Sequence, residues 1–235
     1  MKNLSTTAKA YILGTILIGL GLLVWQLPSV AWGEPGLYLL AALGAAAQTL
    51  KVEGPNDKTN YNIAWFVYGF SFIALGPPAA LFVVVVSHLV EWVWHKYPWY
   101  IQSFNIGSNG VAVFLAGQVY GLIRGGAEVL EVQSAIGMAV GLAVLVLLNH
   151  LQVGVVIKLA RGQSFAESGV FECYSLFLDF TILAMGAVTA LVWISNPLAS
   201  LLNVLPLYLL YRAIQIPALE RRVQELERQM AQTGD

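Results

Sequence analysis

Apolar runs near the length of a membrane crossing recur along almost the whole chain, at about 10–27, 36–50, 61–76, 78–95, 106–123, 134–157, 174–195 and 198–214. Between them stand the punctuating stretches "LPSVAWGEPG", "GPP", "KYPW", "IRGGAE", "ARGQ" and "SNP". Proline ends a helix because it lacks an N–H, and glycine tolerates the backbone angles of a stop. The pattern predicts an all-α protein, a polytopic transmembrane bundle of eight spans covering 1–214. A short cytoplasmic amphipathic or coiled-coil tail at 215–235 follows it.

Composition agrees, with 58% hydrophobic and 11% charged residues and a mean hydropathy of +0.71. Those values lie outside the range of soluble globular domains. At roughly 20 residues per span, the 235 residues leave nothing for a separate soluble domain. A net charge of −1 gives no basis for nucleic-acid binding, and the single cysteine, Cys173, has no internal disulfide partner. No fixed-period repeat or low-complexity segment is visible. Lys2, Lys9 and the run Tyr11–Trp25 resemble a signal peptide, with Ser29-Val-Ala31 as a cleavage site. The distribution of later charges fits better if that segment stays as the first helix.

Cytoplasmic loops retain positive charge, which tests the topology. With the N-terminus inside, eight spans put Lys2, Lys9, Lys51, Lys58, Lys96, Lys158, Arg161, Arg212, Arg221, Arg222 and Arg228 on the cytoplasmic side and only Arg124 on the other. Merging the two helices around "ALGPPAAL" would invert everything downstream and destroy the bias. Both termini are therefore expected in the cytoplasm, with the bundle in a bacterial plasma membrane.

Ionisable groups at membrane depth cost several kcal/mol, so each marks a candidate site. At about 1.5 Å per residue, His88 falls near the midplane, and Glu91, His150 and Asp179 share a level in the inner half. Asn105, Asn109, Asn149 and Gln48 come close to it. The functional reading is a polar pocket formed by His88, Glu91, Asn105, Asn109, His150 and Asp179. The structural reading is pairing, because His88 and Glu91 are three apart and Glu91 and His95 four apart on one helical face. H-x-x-E-x-x-x-H is neither a zinc signature nor a di-iron one, so no metal is assigned. No particular cofactor is implied.

Trp92, Trp94, Trp99, Tyr97 and Tyr100 surround Lys96 where the fourth span leaves the membrane, and read as interfacial anchors. Arg124 and Glu128 read as a solvated pair at the outer end of the fifth span. Gly137 and Gly141 form a G-x-x-x-G pair, equally expected inside the bundle and at a partner interface. In the tail, Leu219, Val223, Leu226 and Met230 are spaced four, three, four, a short coiled-coil seam for a protein partner or a homodimer. The same pattern suits a helix lying on membrane lipid. Pro217, just before it, is the expected kink or pivot.

No G-x-S-x-G, phosphate-cradling glycine loop or catalytically spaced carboxylate pair is present, and the chain reads as non-enzymatic. The stretches "LGPPAALFVVVVSHLVEW", "YPWYIQSFN", "GQVYGLI" and "LPLYLLYRAIQIPALE" together resemble a known group. These are the N-terminal multi-span membrane sensor domains that precede GGDEF diguanylate cyclase or HD-type phosphodiesterase domains in bacterial signalling proteins. The matching positions are Gly76 and Pro77, Pro98 and Trp99, Phe104 and Asn105, and Leu205 and Pro206. Neither a GG[DE]EF sequence nor an HD-GYP pair occurs, so the resemblance implies a sensor module without its own output enzyme. Its function would be to bind a small or lipophilic ligand and to act through a partner by way of the C-terminal helix. Two alternatives stand beside it: a structural subunit of a larger membrane complex, and the substrate-binding component of an energy-coupling-factor vitamin transporter. The long tail does not suit the transporter.

Overall fold

The computed structural model describes residues 1, 4–50, 52–53 and 60–233. Among them the chain forms nine α-helices: α1 (Thr6–Gln26), α2 (Pro35–Thr49), α3 (Ala64–Ala74), α4 (Pro77–His95), α5 (Trp99–Arg124), α6 (Val132–Arg161), α7 (Phe165–Ser168), α8 (Cys173–Ser195) and α9 (Val204–Thr233). Short 3-10 turns cover Leu27–Ser29 and Ala199–Asn203. One two-residue antiparallel ladder pairs Val52 with Tyr61 and Glu53 with Asn60.

Six segments are long and apolar enough to cross a membrane: Thr6–Ser29, Pro77–His95, Trp99–Arg124, Val132–Arg161, Cys173–Ser195 and Ala199–Ile216. This is a membrane protein. Two expected spans are shorter, because α2 has 15 residues and α3 only 11. At ~1.5 Å per residue they reach ~22 and ~16 Å, less than the ~30 Å hydrocarbon core. The polar link after α2 and the glycine–proline turn after α3 clip them. Conversely, α5 begins at Trp99 rather than 106, since Pro98 closes the preceding turn and leaves "WYIQSFN" free to be helical.

Local chemistry explains the other ends. Ser5 accepts the N–H of Ala8 to cap α1. Gly76 takes φ +88 before Pro77 at the first turn of α4, a conformation that suits glycine. Lys96 adopts a left-handed φ of +53 to close α4. α9 is helical through position 217, where a proline removes one helix hydrogen bond and crowds the carbonyl four residues before it.

The bundle is assembled by close backbone approach. A methyl group added at Gly69 would overlap the carbonyl of Leu183, and one at Gly186 the carbonyl of Phe66, so α3 and α8 meet glycine to backbone on both sides. Gly19 of α1 and Gly107 of α5 meet in the same way. Gly137 and Gly141 face Tyr120 and Ala116 of α5, so the G-x-x-x-G pair lies inside the bundle. Around these contacts lies an apolar core that includes Leu37, Phe72, Leu81, Val113, Leu142 and Leu183. The last candidate span, Ala199–Ile216, is the least integrated, with 11% of its residues buried. It docks through Ile214 onto Leu178 and Ile182 of α8.

Overpacking a tight helix contact costs ~1–3 kcal/mol. Gly186→Ala should therefore lower the thermal unfolding midpoint in detergent, whereas Gly21→Ala, with nothing within 4 Å of its added methyl, should not. Equal midpoints for the two variants would contradict the α3–α8 contact.

Candidate functional site

The polar residues of the bundle gather at one end, where α2 finishes, α3 starts, α4 finishes and α5 starts. Glu91 is fully buried there. Its Oε2 accepts Gln48 Nε2–H of α2 at 2.8 Å, Gln102 Nε2–H of α5 at 2.9 Å and, from one turn earlier on its own helix, His88 Nδ1–H at 3.2 Å. Gln48 in turn accepts from Asn62 and from the hydroxyl of Tyr68, 2.9 Å away. Asn62 also uses its Oδ1 to accept the N–H of Ala64 at 2.7 Å, fixing the first turn of α3. Three helices thus meet on one carboxyl group, and Gln48 links a fourth, α3, to it.

The other side of His88 settles its tautomer. Asn109 Nδ2 donates to the carbonyl of Asn105 at 2.9 Å, and a carbonyl can only accept. The same Nδ2 faces His88 Nε2 at 3.3 Å, so Nε2 is the acceptor and the ring proton sits on Nδ1, toward Glu91. Asn109 Oδ1 lies 3.4 Å from Asn149 Nδ2, which brings in α6. Asn105 donates to Gln102 Oε1 at 2.9 Å. The network therefore runs Asn62–Gln48–Glu91–His88–Asn109–Asn149, with Gln102 and Asn105 as a branch.

His150 and Asp179 stand apart from it. His150 Nδ1 donates to the carbonyl of Val170 at 2.5 Å, and its Nε2 lies 2.8 Å from Asp179 Oδ2, joining α6 to α8. The segment before α8 is held to this pair from below: Gly154, one turn further along α6, leaves room for the rings of Phe165 and Phe171. Ser164 and Glu167 cap α7 reciprocally. So the six residues expected to share a pocket divide. His88, Glu91, Asn105 and Asn109 come together, while His150 and Asp179 form a second, separate contact. Equal depth along the helices did not bring them to the same face.

His95 is exposed, with its ring 5.4 Å from Tyr97, and takes no part. Trp94, Lys96 and Trp99 are exposed at the same end, while Trp92 is half-buried and donates Nε1–H to the carbonyl of Tyr97 at 2.9 Å. Arg124 donates to the carbonyl of Ala127 at 2.8 Å and lies over the ring of Tyr120, in place of the expected pair with Glu128. In the tail, Leu219, Val223 and Met230 are exposed, and the side chain of Leu226 lies outside the described residues. Among the described residues no group of three or more His, Cys, Asp and Glu could hold a metal ion.

A cleft of about 290 Å³ opens beside the network between α1, α5 and α6. Its walls include Leu4, Ile12, Tyr100, Phe104, Val153 and Ile157, with Asn105 and Arg161 as its polar members. Asn105 is thus shared between cleft and network. A larger groove of about 650 Å³, among α2, α3, α8 and the start of α9, is lined by Leu39, Leu43, Phe70, Trp193 and Val204.

Gln102, Asn62 and Tyr68 were missed by sequence reasoning. Gln102 precedes Asn105 by three and Asn109 by seven, one helical face, but this is visible only if α5 begins before 102. Asn62 belongs to a polar link and Tyr68 to an aromatic helix, where neither stands out. No family model, curated protein or solved structure matches the chain.

Coupling energies separate the two clusters, since contacting residues deviate from additivity by ~0.5–3 kcal/mol and distant ones do not. His150→Ala and Asp179→Ala should be strongly coupled in unfolding experiments, and His88→Ala with Asp179→Ala additive. Glu91→Ala should destabilise more than any of them, because it strands three buried donors at ~1–3 kcal/mol each. Coupling between His88 and Asp179 would show one network rather than two.

Proposed function

We propose that this protein is a non-enzymatic, sensor-like module of a bacterial plasma membrane, binding a small or lipophilic ligand in its bundle and acting through a partner by its C-terminal helix. The observation that carries the reading is the continuity of α9. One helix docks on α8 through Ile214 and continues to Thr233. Movement of α8 or α3 at that contact is handed to the tail without an intervening loop.

The ligand site belongs to the cleft between α1, α5 and α6. Asn105 on its wall is two hydrogen bonds from Glu91. A ligand that takes the Asn105 amide competes with Gln102, and Gln102 ties α5 to the group on which α2 and α4 meet. A ligand shifts an equilibrium only by binding two arrangements unequally, and this competition supplies the inequality. Arg161 at the cleft gives an anionic headgroup a counter-charge.

In this reading α2 and α3 also cross, giving eight spans with both termini in the cytoplasm. The charge bias supports it, and so do the bonds from Gln48 and Asn62, which put the end of α2 and the start of α3 at the end of the bundle that carries the 96–98 turn. The class we assign is the membrane-associated sensor type that precedes GGDEF or HD domains. Three of its four marker pairs fall at helix starts here, Gly76 and Pro77 at α4, Pro98 and Trp99 at α5, and Leu205 and Pro206 at α9, whereas Phe104 and Asn105 lie inside α5 rather than at its start.

A structural subunit of a larger membrane assembly is the second reading. It is favoured by the sparse burial of Ala199–Ile216, which leaves most of that span to lipid or to another subunit.

Native mass spectrometry from mild detergent tests the first reading. The wild type should carry a lipophilic adduct, and Asn105→Leu and Glu91→Ala should each reduce its occupancy, by ~10-fold for each ~1.4 kcal/mol of binding free energy removed. Adduct retained in both variants, with only thermal stability lowered, would remove the ligand site and leave a structural network.

A further inference from the structure

α9 carries an apolar stripe that is largely exposed. Ile214 is 6% exposed against α8, with Leu210 and Tyr211 beside it. Ile216 is two residues on, about 200° around the helix at 3.6 residues per turn, so it points away from the bundle. Taking Ile216 as position a of a heptad puts Leu209, Val223 and Met230 at a as well. Leu205, Leu219 and Leu226 then take d, with Arg212 as the one charged member. Leu205, Leu209, Ile216, Leu219 and Val223 are all exposed, and the spacing is kept from within the membrane-spanning part to the end of the tail.

We infer that the occupant of this stripe is α9 of a second copy of this chain, packed in parallel. Three observations favour a copy of itself. Below the membrane, β-branched Ile216 and Val223 at a alternate with Leu219 and Leu226 at d, the combination that specifies two parallel strands. The flanking charges are self-complementary. Arg222 falls at g and Glu227 at the following e, the pair that meets across a parallel homodimer, and Gln215 stands to Glu220 in the same relation. An antiparallel pairing would instead set e against e, glutamate against glutamate. Finally, the upper part of the stripe lies on the least buried span of the bundle, so two copies inserted the same way into one bilayer bring their α9 helices together parallel without repacking anything. Arg212 lies four residues before the end of the apolar segment, and its long stem lets the guanidinium reach the headgroups.

The inference deepens the functional reading and rests on it only for the tail's output role; pairing itself needs no ligand. In a Cys173→Ser background, removing the exposed native thiol, single cysteines are introduced at Val223 (position a) and Gln224 (position b) of the full chain in lipid nanodiscs. A symmetric disulfide requires Cβ atoms ~3.5–4.5 Å apart, so mild oxidation should give a covalent dimer several-fold more with Val223→Cys than with Gln224→Cys. Equal yields, or none at 223, overturn the proposal. Charge reversal checks the register independently: Arg222→Glu should lower the dimer fraction several-fold, and Arg222→Glu with Glu227→Arg should restore it. Failure of the double variant to recover refutes the g-to-e pairing. A dimer that forms at 223 while no added lipophilic compound changes its yield would keep the pairing and remove the sensor reading.

Discussion

Helices surrounded by hydrocarbon gain nothing by hiding apolar side chains from one another, because lipid is as apolar as leucine. Close backbone approach and polar bonds must hold them instead, and this bundle uses both in different places. Glycine contacts join α3 to α8, α1 to α5 and α6 to α5. Hydrogen bonds on Glu91 join α2, α4 and α5, and those on Asn109 and Asp179 bring in α6 and α8. α9 docks on α8 through Ile214, and the candidate span that contains its first half is the least buried of the six.

The chemistry at Glu91 follows from the same constraint. A buried carboxyl group without donors would be intolerable, and here three N–H groups from three helices converge on one oxygen. Because Asn109 donates to His88, the histidine is committed to Glu91 on one side and to an amide on the other. The geometry ties α2, α3, α4 and α5 together, and the cleft touches it at Asn105 alone.

Much of the bundle was legible in the sequence because apolar length and glycine–proline punctuation report directly on helices in a membrane. Six of the expected spans are long, apolar helices, and the two that fell short, α2 and α3, are those next to the polar link. The core of the site was legible for an equally local reason: His88 and Glu91 are three residues apart on one helix, and depth in the membrane makes any ionisable group conspicuous. What depth does not give is rotation. His150 and Asp179, expected at the level of Glu91, meet each other instead, since which face of α6 looks toward α8 is set by packing at Gly137, Gly141 and Gly154 rather than by hydropathy. Gln102, Asn62 and Tyr68 escaped because amides and phenols are ordinary at helix starts, and their role appears only once a partner on another helix is known.

The convergence of donors on Glu91 also bears on biogenesis. A chain is made from its N-terminus, so α2 and α3 are made before α4, with Gln48 still lacking its acceptor. That acceptor arrives with the last turns of α4, and Gln102 follows with the first turns of α5. The four-helix junction therefore closes only when the 77–102 segment has been synthesised, and a chain stalled before Glu91 would leave Gln48 without the carboxyl group that anchors it.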